Sequence, residues 1–223
     1  QQVDSHFLRG EALLAQMAGS AIQLLEHGRP QTERMYTDIE IGDPADPPPD
    51  LRQAAFYNQD LTLDYLTYKL APGLSREEAE PLMQVINPIR HVFYEILLRS
   101  SQDQALSLTK EEQQSLILDQ GVPLIWVYVG LKQGLHVAYP GKTGYKAEYD
   151  PRLRPWYKDS LKQPGSRWLS PYVDTGGKGW VLPCTMPLHS ANGDFLGVAG
   201  VEMTLSYIKQ TYLQLGNLPG IVD

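Results

Sequence analysis

Near residue 123 the pattern of apolar residues changes from a helical repeat to short runs typical of strands. The runs Leu124–Leu131 and Leu135–Tyr139 flank a turn containing Gly134, which predicts a β-hairpin. Residues 156–162 then carry a short helical pattern. Three further strand candidates follow, at residues 167–173, 179–188 and 195–205. Two strands, a helical crossing and three strands predict an antiparallel sheet with helices packed on it, which is an α+β fold.

Upstream of this sheet, residues 5–27 form the longest amphipathic pattern in the chain. Ser5 is a candidate N-cap, and Gly28 with Pro30 predicts the helix end. Two interpretations stay open, a core helix or a stalk that continues from a preceding membrane span. The apolar face is wide enough to contact a second copy, so we also expect a weak parallel dimer along this helix.

The middle of the chain contains two helix-start signals. Ser75 and Thr109 are each followed three residues later by a glutamate, Glu78 and Glu112, which is the pattern of a capping box. The helix after Ser75 contains Pro88, where we expect a kink. This part of the chain is therefore predicted to be mainly helical.

Three stretches before these helices carry weaker signals. Residues 35–41 predict a short strand, and the proline-rich residues 43–50 predict a loop. Residues 51–70 hold tyrosines and leucines without a clear period, so no element is assigned to them.

The composition excludes several classes of function. The 26 acidic and 19 basic residues give a net charge of −7, which argues against binding to nucleic-acid phosphates. The single cysteine, Cys184, excludes a disulfide framework and a multi-cysteine metal site. The five histidines are scattered, and no nucleophile elbow, P-loop or dinucleotide fingerprint is present. We expect no catalytic residues, no metal and no cofactor.

Three segments stand out by their residue types. Residues 149–157 read YDPRLRPWY, residues 171–174 read PYVD, and residues 197–202 read GVAGVE. Their order after a glycine hairpin resembles the PAS-like ligand-binding module of the double Cache sensor family, over about residues 119–207. That family comprises extracytoplasmic domains of bacterial chemoreceptors, histidine kinases and cyclic-nucleotide enzymes. The resemblance implies an extracytoplasmic sensor domain of an inner-membrane receptor.

A subset of this family binds free α-amino acids through a spaced set of residues, and the resemblance extends to that set. The final acidic position is a glutamate here, where the family usually has aspartate. The resemblance therefore implies seven ligand-binding residues: Tyr149, Arg154, Trp156, Tyr157, Tyr172, Asp174 and Glu202.

The chemistry of these residue types suits a zwitterion, which needs a cation and an anion a few ångströms apart. Arg154 can bind a carboxylate through two parallel hydrogen bonds, to which the Trp156 N–H and the Tyr157 hydroxyl can add donors. Asp174 can accept from an ammonium, while Tyr149 or Tyr172 can contact the same ammonium with its hydroxyl and its aromatic face.

Glu202 could also accept from the ammonium, or it could pair with a protein group instead. We favour the ammonium, because the nearby bases Lys178 and Lys209 are expected to face solvent. The longer side chain of glutamate would then shorten the cavity and favour small ligand side chains.

Taken singly, these residues have simpler explanations. Arg154 could form a structural ion pair, Trp156 and Tyr157 could be core aromatics, and Asp174 could belong to a turn. The joint spacing favours a binding site. The alternative function is a structural or dimerising module that binds nothing, or binds a different small ligand such as an organic acid or an amine.

The ends of the chain, Gln1 and the apolar stretch before Asp223, are those expected of a piece cut from a longer protein. The membrane would then be reached through missing flanking segments. The predicted organisation has four parts: a stalk helix at 1–34, a helical and loop segment packing on the sheet at 35–118, the ligand-binding module at 119–207, and a linker or truncated membrane-proximal module from 208 to 223.

Overall fold

A computed structural model describes residues 2–174 and 177–215 of the chain. The helices are α1 (Gln2–His27), α2 (Asp38–Ile41), α3 (Arg76–Ile86), α4 (Ile89–Ser101), α5 (Lys110–Ser115), α6 (Pro155–Ser160) and α7 (Leu205–Leu215). The strands are β1 (Tyr36–Thr37), β2 (Arg52–Ala54), β3 (Gln59–Leu61), β4 (Thr67–Leu70), β5 (Leu124–Leu131), β6 (Leu135–Tyr139), β7 (Arg167–Trp168), β8 (Tyr172–Val173), β9 (Trp180–His189) and β10 (Phe195–Thr204).

Eight of these strands form one sheet in the order β1-β4-β6-β5-β10-β9-β7, and β8 also pairs with β9. All pairs in this sheet are antiparallel except β1 with β4, which run parallel. The strands β2 and β3 form a separate hairpin. Helices pack on this largely antiparallel sheet, which confirms the predicted α+β, PAS-like fold class.

The strand predictions downstream of residue 123 are largely confirmed. Strands β5 and β6 have the predicted bounds, and β9 and β10 differ from prediction by at most one residue at each end. The candidate at 167–173 is instead two short strands, β7 and β8, which pair with different parts of β9. The turn expected at Gly176 and Gly177 falls partly outside the described residues.

The long helix α1 begins at Gln2, so the prediction of Ser5 as its N-cap is wrong: Ser5 lies inside the helix. The predicted end is confirmed, since α1 stops at His27 and the Gly28 N–H donates to the Leu24 carbonyl at 2.8 Å. One stripe of α1 is buried against α4, β9 and β10: Leu13, Leu14, Met17, Ala18 and Ala21. The helix is therefore part of the core of this chain.

Both predicted capping boxes are present. The Ser75 hydroxyl accepts from the Glu78 N–H at 3.2 Å, and the Glu78 carboxylate accepts from the Ser75 N–H at 2.9 Å. Thr109 and Glu112 repeat this exchange at the start of α5. The expected kink at Pro88 is a complete break between α3 and α4, because proline supplies no N–H to continue the helix.

Residues 35–70 contribute more strand than the sequence pattern indicated. The strand expected at 35–41 shortens to β1, and the α2 turn follows it. The unassigned stretch at 51–70 contains β2, β3 and β4, and β4 lies inside the sheet between β1 and β6. A buried ion pair between Lys69 and Asp38, 3.2 Å long, attaches α2 to β4.

Helix α7 follows β10 directly, so the predicted boundary at 208 falls inside a helix. Of the stretch assigned to a linker or truncated module, residues 216–223 lie outside the described residues. Within residues 2–174 and 177–215, no helix is long and apolar enough to cross a membrane.

Candidate ligand-binding site

The floor of the candidate site is one face of the three central strands. Alternate residues of a strand point to the same face, so Trp126 and Tyr128 of β5 lie beside Ala138 of β6 and Glu202 of β10. The register aligns Glu202 with Trp126 and Tyr128 with Ala138. His136, two residues before Ala138, continues this face.

The walls come from the segment between β6 and α6 and from the end of β8. Together with the floor they enclose one cavity lined by Trp126, Tyr128, His136, Ala138, Lys142, Tyr145, Tyr149, Arg154, Trp156, Tyr172, Asp174 and Glu202. Its volume is about 30 Å³, counted as the space open to the centre of a water molecule. Four residues, Tyr145, Tyr149, Arg154 and Asp174, also line an outer pocket of about 490 Å³ counted in the same way. Those four side chains therefore form the rim between the two spaces.

The arginine of the cavity lies at the start of α6. Arg154 is the N-cap residue in extended conformation, and Pro155 begins the helix with its fixed φ. The Arg154 guanidinium lies 5.7 Å from the centroid of the Tyr149 ring. Among the described residues it makes no ion pair, so its donors are available to a ligand.

Trp156 is positioned by close packing on β5. Its ring lies 4.7 Å from the ring of Tyr128, and the residue is 2% exposed. A Cβ atom at Gly130 would come within 2.7 Å of the Trp156 ring, so only glycine allows this approach.

The acidic residues of the cavity are Asp174 and Glu202, which are both buried. The Asp174 carboxylate accepts from the Trp126 indole N–H at 3.3 Å and from the Lys178 backbone N–H at 3.1 Å. The Glu202 carboxylate accepts from the Tyr172 hydroxyl. Burial, followed by repulsion from Asp174, raises the pKa of Glu202 to about 7. Near neutral pH, Glu202 therefore exists in both protonation states.

The expectation that Lys178 faces solvent is wrong. Its ammonium donates to the Phe56 carbonyl and lies 3.9 Å from the centroid of the Phe56 ring. The Lys178 side chain therefore packs against the protein. Lys209 is exposed, as expected.

Two polar residues of the cavity were missed by the sequence analysis. Lys142 is 6% exposed, and its Nζ lies 4.3 Å from the Trp126 ring centroid. His136 is buried among aromatic rings, and burial, with Lys142 and Arg154, lowers its pKa to about 3. The alternation of the predicted strand could have placed His136 beside Ala138. No periodic signal marks Lys142, because it follows the strand in an irregular segment.

Six of the seven predicted site residues line this cavity: Tyr149, Arg154, Trp156, Tyr172, Asp174 and Glu202. Tyr157 does not belong to the lining. It packs beside Trp156 and Phe195, at 5.6 and 6.1 Å between ring centroids, and burial raises its pKa to about 12. Its contact with a ligand stays a prediction.

The segment that carries these residues matches a known protein family. Residues 121–210 fit the model of the methyl-accepting chemotaxis protein-like first PDC sensor domain, a family also called Cache. This segment is similar to Cache sensor domains, and we refer to it as the Cache module. The resemblance inferred from the YDPRLRPWY run is thereby confirmed.

Individual relatives agree with this assignment of the Cache module. The chemotaxis protein PscA of Pseudomonas syringae is 30% identical over 83 residues, which are 37% of this chain and 13% of that protein. A VWFA and cache domain-containing protein of Drosophila melanogaster is 36% identical over 101 residues, 41% of this chain and 7% of that protein. This chain thus matches only a small part of either relative's length.

Among solved structures, the ligand-binding domain of the Pseudomonas aeruginosa chemoreceptor PctC, in complex with GABA, is 34% identical. The match covers 38% of this chain and 39% of that one, with a TM-score of 0.36.

The Cache module thus presents a small polar cavity lined by groups of both charges. Arg154 and Lys142 supply the cations, Asp174 and Glu202 supply the carboxylates, and aromatic rings complete the lining. Over the described residues, no group of three or more histidine, cysteine or acidic side chains could hold a metal ion. The arrangement is suited to holding a small ligand that carries both charges.

Proposed function

We propose that the Cache module binds a free α-amino acid in this cavity and acts as the extracytoplasmic sensor of a transmembrane receptor. The observation that carries the proposal is that one cavity is lined by cations and carboxylates together. Arg154 offers unpaired donors, and the carboxylates of Asp174 and Glu202 line the same space. A free α-amino acid carries the complementary pair of charges, an ammonium and a carboxylate, on one carbon atom.

Each lining residue then has a role that its position supports. Arg154 binds the ligand carboxylate through its guanidinium, and the Trp156 N–H adds a donor. Asp174 and ionised Glu202 accept from the ligand ammonium. Tyr149 encloses the ligand at the rim of the cavity, and Tyr172 encloses it from β8. In this proposal the role of the cavity is binding, and every one of these side chains holds the ligand without reacting with it.

The receptor context is supported by the relatives, which include several methyl-accepting chemotaxis proteins. In this proposal the module lies outside the cytoplasmic membrane and is joined to it by segments that flank this chain in the whole receptor. Helix α1, in the predicted stalk at 1–34, forms the connection on the N-terminal side. A cytoplasmic output domain of a chemoreceptor, a histidine kinase or a cyclic-nucleotide enzyme receives the signal.

A thermal-shift screen of the 223-residue chain against the twenty amino acids and common small acids tests the proposal. A ligand that binds only the folded state raises the melting temperature in proportion to the logarithm of its concentration. We expect one or a few amino acids to do so, and the Arg154→Ala variant to lose the shift. A screen in which no amino acid changes the melting temperature would favour a structural module, and a response to amines or organic acids alone would favour a different ligand.

A further inference from the structure

Lys142 provides a second cation inside the cavity and, unlike the half-buried Arg154, it is buried. The residue is 6% exposed and lies between two aromatic rings, with Nζ 4.3 Å from the Trp126 ring centroid and 4.9 Å from that of Tyr145. Among residues 2–174 and 177–215, it makes no ion pair, and its Nζ donates no hydrogen bond. An ammonium has three donors, and removing it from water without hydrogen-bond partners is unfavourable.

The backbone of Lys142 is held in place beside the cavity that its side chain lines. The Lys142 N–H donates to the Thr67 hydroxyl oxygen at 2.6 Å, and that hydroxyl donates to the Lys142 carbonyl at 2.8 Å. The preceding residue, Gly141, exchanges two backbone hydrogen bonds with Thr62, at 2.9 and 3.0 Å. The lysine is therefore part of a built site on both sides of its backbone.

The two acids of the cavity are already engaged by other groups. Asp174 accepts from Trp126 and from the Lys178 backbone, and Glu202 accepts from Tyr172. They attract Lys142 electrostatically without pairing with it. Both cations, Arg154 and Lys142, therefore keep donors for a ligand.

An amino acid with an apolar side chain has only one carboxylate, which would occupy one of the two cations. We propose that the preferred ligand is an acidic α-amino acid, whose side-chain carboxylate binds Lys142 while its α-carboxylate binds Arg154. This inference rests on the proposed function and names the ligand class of the same cavity. Lys142 lines the same cavity as Asp174 and Glu202 and interacts with both electrostatically, so the side-chain carboxylate of aspartate or glutamate would meet it inside that cavity. Lys142 is then a specificity-determining residue.

The experiment compares acids with their amides, which match them in shape and differ in charge. Calorimetry measures the dissociation constants of L-aspartate, L-asparagine, L-glutamate and L-glutamine for the wild-type chain and for Lys142→Met. Methionine keeps an unbranched chain among the aromatic rings and removes the charge. Lys158→Met, at an exposed position of α6 outside the cavity, is the matched control.

We expect the wild type to bind one of the acids at least about tenfold more tightly than its amide. Lys142→Met should weaken that acid by about 30-fold or more, the usual effect of removing one member of a desolvated charge pair, and change the amide less than threefold. Lys158→Met should change neither. A wild type that binds acid and amide equally, or a Lys142→Met variant that weakens both alike, would overturn the inference.

The design separates this inference from the function on which it rests. If neutral amino acids such as alanine and serine bind and the acids bind no better, the acidic class is wrong and the amino-acid site stands. If succinate binds as tightly as L-aspartate, the second carboxylate is recognised but the ammonium is not. If no amino acid binds wild type, both proposals fail together. Melting temperatures of the variants show whether a loss of affinity comes from unfolding.

Discussion

The Trp126 indole N–H donates to the Asp174 carboxylate across 3.3 Å, and this bond joins residues 48 positions apart in sequence. Trp126 lies on a central strand, whereas Asp174 follows the short strand β8 near the edge of the sheet. The bond thereby attaches an acidic residue of the cavity to a central strand of the sheet. Asp174 also lines the outer pocket, so it lies at the rim between the two spaces.

Replacing the cavity arginine, Arg154, should abolish most binding without unfolding the domain. Arg154→Ala removes the donors for the ligand carboxylate, and the expected loss is about 30- to 4000-fold in affinity, corresponding to roughly 2–5 kcal/mol. The matched control is Arg152→Ala, since Arg152 pairs with Asp150 at 2.7 Å outside the cavity lining. An unchanged dissociation constant, or a collapse of the melting temperature, would mean that Arg154 has another role.

Ligand affinity should increase with pH through the titration of Glu202. Its pKa is about 7, and only the ionised carboxylate attracts an ammonium. The ionised fraction rises about tenfold between pH 6 and pH 8, so calorimetry should show a dissociation constant about tenfold lower at pH 8. Glu202→Gln should remove this dependence, and it should weaken an amino acid far more than the same acid without its amino group. Equal losses for both ligands would assign the ammonium to Asp174 alone.

The same titration should affect the stability of the ligand-free protein. The pKa of Glu202 rises from its ordinary 4.5 to about 7 on folding, so the native state favours the protonated form. Its contribution to stability is therefore present below pH 4.5 and is lost as the pH rises through 7. Glu202→Gln imitates the protonated form, and its melting temperature relative to wild type should increase from pH 5 to pH 8. A constant difference would show that Glu202 does not titrate in this range.

His136 should make the fold less stable in acid, which is the opposite pH dependence to that expected from Glu202. Its pKa falls from 6.5 to about 3 on folding, so the stability it contributes is complete above pH 6.5 and is lost as the pH falls towards 3. Between pH 7 and pH 5 this amounts to about 2 kcal/mol. His136→Gln, which stays neutral, should lose less melting temperature than wild type over that interval. Parallel curves for the two proteins would contradict the buried neutral imidazole.

The dimer expected along α1 can be tested on its outward face. Leu8 is 65% exposed, while the buried stripe of the same helix packs on its own domain. We expect sedimentation velocity at high concentration to show a weak dimer that Leu8→Glu removes. Gln16→Glu, which adds the same charge at another exposed position of the helix, is the control for charge alone. A strict monomer at all concentrations would exclude this contact for the isolated chain.

Local signals in the sequence predicted the elements that depend on local chemistry. The capping boxes at Ser75 and Thr109 and the hairpin at Gly134 needed only neighbouring residues, and they are present as expected. Strand β4 was missed because its identity comes from pairing with β6, 65 or more residues away, and not from an apolar period. Long-range pairing of this kind leaves no trace in a short window of sequence.

The residues of the candidate site also fall into those that local sequence signals predicted and those that depend on long-range contacts. Tyr149, Arg154 and Trp156 lie within one short segment, so the family resemblance identified them together. All three line the cavity. Lys142 was not predicted, because its position in the site depends on its hydrogen bonds to Thr67 of β4, a distant strand. Tyr157, the residue after Trp156, was predicted from the same motif but lies outside the cavity lining, because successive residues of helix α6 point in different directions.

Strand β10 separates the cavity from α1 by the thickness of a single sheet. Glu202 faces the cavity, whereas its neighbour Val201 faces the opposite side, where α1 packs on β9 and β10. The 26 residues of α1 extend about 39 Å at the usual helical rise. Because α1 contacts β9 and β10 directly, any change in β10 that accompanies ligand binding would reach this helix without an intervening element.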